Sequence, residues 1–99
     1  MSRRIAIIQG HPDPEGGHYC HAIADAYRNG AVSSGHEVTM IVPAHLDVPL
    51  LSSKADWERS TAPHFVEEVQ QSIWEAEHLV IVYPLWLGTM PALLKAFLE

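Results

Sequence analysis

Ninety-nine residues, 47% of them hydrophobic and 18% charged, describe one globular unit and not a fibrous or disordered chain. Twelve acidic against six basic residues give a net charge of -6, and with no basic stripe this argues against a phosphate-backbone partner such as DNA. The single cysteine, Cys20, allows no internal disulfide and points to a reducing, cytoplasmic setting, while no stretch is apolar and long enough for a signal-peptide core or a membrane span.

In chain order, Arg4 to Gln9 reads as a short apolar strand, ended by the turn-rich run Gly10-His11-Pro12-Asp13-Pro14-Glu15-Gly16-Gly17. From His18 or Tyr19 to about Ser33, apolar residues at Tyr19, Ala22, Ile23, Ala26, Tyr27 and Gly30 follow helical spacing, and Ser34-Gly35 stops the helix. Tyr27 is expected in the core. His36 to Val42 alternates and is rich in β-branched residues, so it predicts a second strand. Pro43 to Ala62 is irregular, with Asp47-Val48-Pro49-Leu50-Leu51 expected to fold over the sheet. Pro63 starts a helix through Ala76 with Phe65, Val66, Val69, Ile73 and Ala76 on one face. Leu79 to Tyr83 predicts a third, buried strand, and Pro91 opens a final helix from its first position, with Thr89 or Met90 as cap.

This alternation implies an α/β fold, a parallel sheet with right-handed crossovers and helices on both faces. The last helix carries Leu93, Leu94, Phe97 and Leu98 up to Glu99 without a glycine cap, and three strands leave a bare parallel edge. The pattern predicts that residues 1–99 are the N-terminal portion of a single larger domain, and that alone they associate or stay partly molten.

Two strand–loop–helix units carry the candidate chemistry. The loop Gly10 to His18 feeds a helix N-terminus, whose free N–H groups and dipole suit a phosphate. Gly16 and Gly17 let the backbone fold around phosphate oxygens, and His11, His18 and Tyr19 complete the candidate set there. After the third strand, Pro84 ends ladder pairing, and Leu85, Trp86, Leu87 and Gly88 form a loop that can lie against something flat.

The strings Ile5-Ala6-Ile7-Ile8-Gln9-Gly10-His11-Pro12 and Tyr83-Pro84-Leu85-Trp86-Leu87-Gly88-Thr89-Met90-Pro91-Ala92-Leu93-Leu94-Lys95 resemble the flavodoxin-like NAD(P)H quinone oxidoreductases. That group includes DT-diaphorase and the bacterial modulator-of-drug-activity and potassium-efflux ancillary proteins. The second string is the more specific, and the resemblance covers essentially the whole chain. It implies a flavodoxin-like fold with FAD or FMN at the carboxyl ends of the first and third strands, where a 2-1-3-4-5 sheet opens a crevice. It further implies two-electron hydride transfer from NAD(P)H to a quinone-like acceptor, both using one pocket in turn, and a homodimer. The sequence departs from that family in the phosphate loop, where Glu15-Gly16-Gly17-His18-Tyr19 stands in place of a Ser-Phe-Asn-like segment. Asp13 and Glu15 put carboxylates close to the expected phosphate. No residue here takes the family's proton-transfer role. The alternatives are a flavodoxin-type electron carrier, whose phosphate loop would be rich in Thr and Ser, and a flavin-free ancillary binding module of a cation transporter.

The other residues read more plainly. His18, Cys20 and His21 fall short of a metal-ligand set of known spacing, and His21 reads as a solvated helix residue. His36, His45, His64 and His78 read as surface residues, Trp57 and Trp74 as packing residues, and Glu67, Glu68, Glu75 and Glu77 as a solvated face.

Overall fold

The computed structural model describes residues 2–59 and 62–99. Its strands are β1 (Arg4–Gln9), β2 (Glu37–Ile41) and β3 (His78–Val82). They form one parallel sheet of order β2-β1-β3, with Ile8 opposite Ile41 on one side and Gln9 opposite Val82 on the other. Because β1 lies in the middle, every residue after Arg4 in it is buried. The helices are α1 (Tyr19–Ser33), α2 (Lys54–Arg59), α3 (His64–Glu75) and α4 (Ala92–Leu98), with one tight helical turn at Pro43–His45.

Side chains alternate along β1 and so feed two cores. Ile5 and Ile7 pack with Ala24 of α1, joined by Ala31, Val38, Met40, Val80 and Val82. Ile8 packs on the opposite face with Ile41 and Leu94, joined by Val69, Ile73, Met90 and Phe97. Helix α1 therefore covers one face, and α3 with α4 the other. Phe65 and Phe97 stack at 6.2 Å between ring centres and tie α3 to α4.

Several expectations need correcting. The face of α1 turned to the sheet carries Cys20 and Ala24, not the Tyr19–Ile23–Tyr27 stripe, and Tyr27 is 39% exposed. Small side chains let the helix sit close to β1, which leaves the larger ones at its flanks. Trp74 and Trp57 lie largely in solvent and are not packing residues. As an edge strand, β3 buries only one face: Val80 and Val82 join the α1 core while Leu79 and Ile81 stay exposed. Val48 to Leu51 line a groove with Phe65 and Phe97 of the helices, with Leu50 exposed, and do not fold over the sheet.

Pro63 and Pro91 are the cap residues of α3 and α4 and not their first helical residues, because both hold an extended ψ (156° and 148°), so each helix begins one residue later than expected. Helix α2 falls inside the stretch read as irregular. Its N-terminus is held by Ser53 Oγ, which accepts from Asp56 N–H at 3.1 Å, while Asp56 Oδ2 accepts from the N–H and hydroxyl of Ser52 at 3.1 and 3.2 Å. The remainder of that stretch at Ser60 and Thr61 lies outside the described residues.

The expected stop of α1 is present. Gly35 N–H donates to Val32 O and His36 N–H to Ala31 O, both at 3.0 Å, the two bonds of a Schellman cap.

Candidate functional site

The loops after β1 and β3 leave the same end of the sheet side by side. Gly10 N–H donates to Val82 O at 2.7 Å and so carries the pairing of β1 and β3 one residue past the strand. A Cβ on Gly10 would lie 2.7 Å from Leu94 Cδ2 and 3.2 Å from Val82 O, so the missing side chain lets α4 approach this end of the sheet.

Beyond Gly10 the first loop is held by its own side chains. Buried Gln9 accepts His11 N–H through Oε1 at 2.7 Å, and His11 Nδ1 accepts Asp13 N–H at 3.1 Å. Asp13 Oδ1 accepts Glu15 N–H at 2.9 Å, and Asp13 Oδ2 pairs with His18 Nε2 at 2.7 Å. His45, in the tight turn after β2, donates from Nε2 to Pro14 O at 2.9 Å and fastens the loop from outside. Gly16 and Gly17 both have positive φ, 82° and 85°, and turn the chain back into α1. His18 is the helix cap, and its N–H donates to His21 Nδ1 at 3.2 Å.

These bonds gather three imidazoles. His11 and His18 stack with ring centres 4.1 Å apart and planes 11° from parallel; His21 stands 5.0 Å from His11 and 5.5 Å from His18. The N–H bonds accepted by His11 Nδ1 and His21 Nδ1 put the proton of each neutral ring on Nε2. Neither Nε2 is bonded to a described residue. His11 is 7% exposed, yet no buried side-chain nitrogen or oxygen lacks a partner among the described residues, so its Nε2 reaches the surface. Burial, then the neighbouring His18 and His21, lower the His11 pKa below the ordinary 6.5, against a smaller opposing pull from Asp13. The Glu15 N–H, then the His18 side chain, lower the Asp13 pKa below 3.8 and keep it ionised.

The second loop meets the first through Trp86, whose ring lies edge-on to His11 at 5.7 Å and 84°. Trp86 and Thr89 exchange backbone bonds of 2.8 and 3.0 Å around Leu87 and Gly88, with φ of 50° and 80°. Positive φ at both central residues is the geometry of a type I′ turn, which Gly88 meets at no steric cost and Leu87 only with strain. Nothing lies within 4 Å of a Cβ placed on Gly88, so within this chain the turn itself is what requires the glycine. The N–H groups of Leu87 and Gly88 have no partner among the described residues.

The structure thus brings together His11, His18 and Trp86, with Gly16, Gly17 and Gly88 shaping the turns. Tyr19, the first residue of α1, and Leu85 and Leu87 in the second loop are largely exposed to solvent, and Pro84 is half-buried. His21 belongs to the cluster and is not a solvated bystander. The signal for it was its position three residues after His18, one helical turn on. Gln9 was missed as the residue that orients His11. Asp13 was read as an opposing charge, whereas it is engaged by His18 and the Glu15 N–H. Among the described residues, no group of three or more His, Cys, Asp or Glu side chains is arranged to hold a metal ion.

An open parallel sheet of order 2-1-3, with helices on both faces and paired loops at the carboxyl ends of its first and third strands, is a doubly wound α/β arrangement. The profile of a family described as flavodoxin-like fold matches residues 3–99, and the chain belongs to that family. Among solved structures, it is similar to an NAD(P)H:quinone oxidoreductase from Methanothermobacter marburgensis, with a TM-score of 0.81 and 24% identity. The similarity covers 98% of this chain and 52% of that one, so the chain spans about half the length of the structure it matches. A search of curated proteins finds no match. No described helix is long and apolar enough to cross a membrane.

Proposed function

We propose that this chain holds a flavin, FAD or FMN, between its first and third strand loops, as part of an NAD(P)H:quinone oxidoreductase. The observation that carries the reading is the contact between His11 and Trp86, which joins a loop rich in N–H donors to a loop that offers a flat aromatic wall. The residues present fit such a group. His11 and His21 present ring N–H groups beside the N-terminus of a fifteen-residue helix, a combination that suits phosphate. Leu87 and Gly88 offer backbone N–H groups from a turn with open space in front of it. Glu15 is exposed, so its carboxylate has a path away from the phosphate, and Asp13 is spent on His18.

A flavin bound there supplies the hydride chemistry between a nicotinamide and a quinone-like acceptor. The chain's own residues hold and orient it: Trp86 bounds one face of the crevice, the turn N–H groups meet the polar edge of a ring, and the histidines meet the phosphate. The use of both substrates in turn, and a homodimer that closes the pocket, are part of the same proposal.

The purified protein is expected to be yellow, or to become so with stoichiometric flavin, with a visible flavin absorption band. A colourless protein that takes up neither FMN nor FAD contradicts the proposal and favours a flavin-free binding module. The absence of Ser and Thr from Gly10 to His18 weighs against an electron-carrier flavodoxin, and NAD(P)H-dependent menadione reduction by the flavin-loaded protein separates the two.

A further inference from the structure

Resting on the flavin reading above, we propose that the His11–His18–His21 cluster takes up a proton when the cofactor's phosphate binds, so that flavin affinity is coupled to pH across the imidazole range. Three imidazoles whose ring centres lie 4.1 to 5.5 Å apart cannot all carry charge cheaply, since each added proton repels the next.

His11 resists protonation, being buried and faced by both other rings. His11 and His21 use Nδ1 to accept backbone N–H bonds, so they meet the ligand as neutral rings that donate from Nε2–H. A phosphate at the start of α1 favours imidazolium over imidazole in the cluster. The proton goes to His18, whose Nε2 lies 2.7 Å from the Asp13 carboxylate and forms an ion pair with it once the ring is charged.

The charged and titratable neighbours are few. The loop itself contributes Asp13, already paired with His18, and exposed Glu15. Helix α1 contributes Cys20 and, one turn past His21, Asp25; the turn after β2 contributes His45, engaged by Pro14 O. The loop from Tyr83 to Pro91 carries no charged side chain, and β1 ends on uncharged Gln9. Among the described residues, no Lys or Arg forms an ion pair with Asp13 or Glu15. A phosphate held by backbone N–H groups alone would exchange no proton, and that difference makes the proposal testable.

The test is calorimetric titration of the protein with FAD near neutral pH in two buffers of different ionisation enthalpy, repeated from about pH 6 to 8. FMN is titrated in parallel, with a correction for its own phosphate ionisation near about pH 6. Net uptake of roughly half to one proton is expected, with affinity falling up to about tenfold per pH unit as pH rises. His18→Asn keeps a hydrogen-bonding amide without titrating, and should flatten the dependence. If the variant fails to fold, the imidazole NMR signals of the parent decide the matter: at least one of the three histidines must titrate at higher pH in the flavin complex than without it. Binding with no proton uptake and no imidazole shift overturns the proposal and leaves the flavin reading intact. Failure of both flavins to bind at any pH overturns the two together.

Discussion

At the scale of single residues, His11 is the pivot of the site, and its environment makes a prediction about pH. Its pKa in the folded chain lies below the ordinary 6.5, so between the two values the unfolded chain binds more protons. The stability it contributes is thus complete above the ordinary imidazole range and is lost as pH falls through the folded value. His11→Gln should remove that part of the slope, seen as a shallower loss of melting temperature on acidification below about pH 6.5; an unchanged slope would place the titrating group elsewhere. Gly88 separates conformation from sterics. Valine there would be strained by the 80° φ whatever the ligand, whereas asparagine tolerates that region and still adds a side chain. Gly88→Asn should keep the melting temperature within a few degrees and weaken flavin binding about tenfold or more. Unaltered affinity would mean that the turn does not face the ring. Of the site, His11, His18, Trp86 and the glycines were legible because a Gly-His-Pro turn and a Trp-x-Gly turn each punctuate the end of a strand. His21 and Gln9 were not, since a role that depends on a neighbour across a folded loop leaves little trace in local spacing.

At the scale of elements, the join between β1 and α4 is closely packed, with no room for a Cβ on Gly10 beside Leu94. Leu94 is fully buried under Gly10, and Pro91 beside it is buried as well. Gly10→Ala should destabilise the chain by about 1–3 kcal/mol through overpacking. Leu94→Ala should cost about 2–5 kcal/mol by leaving a cavity between Ile8 and Ile41. Denaturant melts check both; a cost below 0.5 kcal/mol for Gly10→Ala, an outcome typical of surface sites, would show that the contact relaxes freely. The three strands, α1 and α3 were readable from periodicity, and β1 and α1 match their expected bounds, α1 starting at Tyr19, one of the two expected starts. Helix α2 was readable in principle from Ser53-Lys54-Ala55-Asp56, a capping signature hidden by the surrounding serines and by Pro49. The rotation of the buried face of α1 was not readable, because Cys20 and Ala24 are too small to stand out in an apolar pattern.

For the whole molecule, the matched structure is about twice as long, and apolar surface is plentiful on this chain. Trp74, Leu50, Leu79 and Ile81 are all exposed, the last two along the free edge of the sheet. Residues 1–99 are expected to self-associate with rising concentration in sedimentation experiments, and Trp74→Gln should reduce this without lowering the melting temperature. A monomer at all concentrations would contradict that expectation. The central claim is that two loops, one after β1 and one after β3, make a single flavin site. Backbone amide NMR of the protein titrated with FMN tests it most directly. Perturbations are expected to concentrate between Gly10 and His21 and between Leu85 and Thr89; perturbations confined to the groove between α3 and α4, or none at saturating flavin, would contradict a single site.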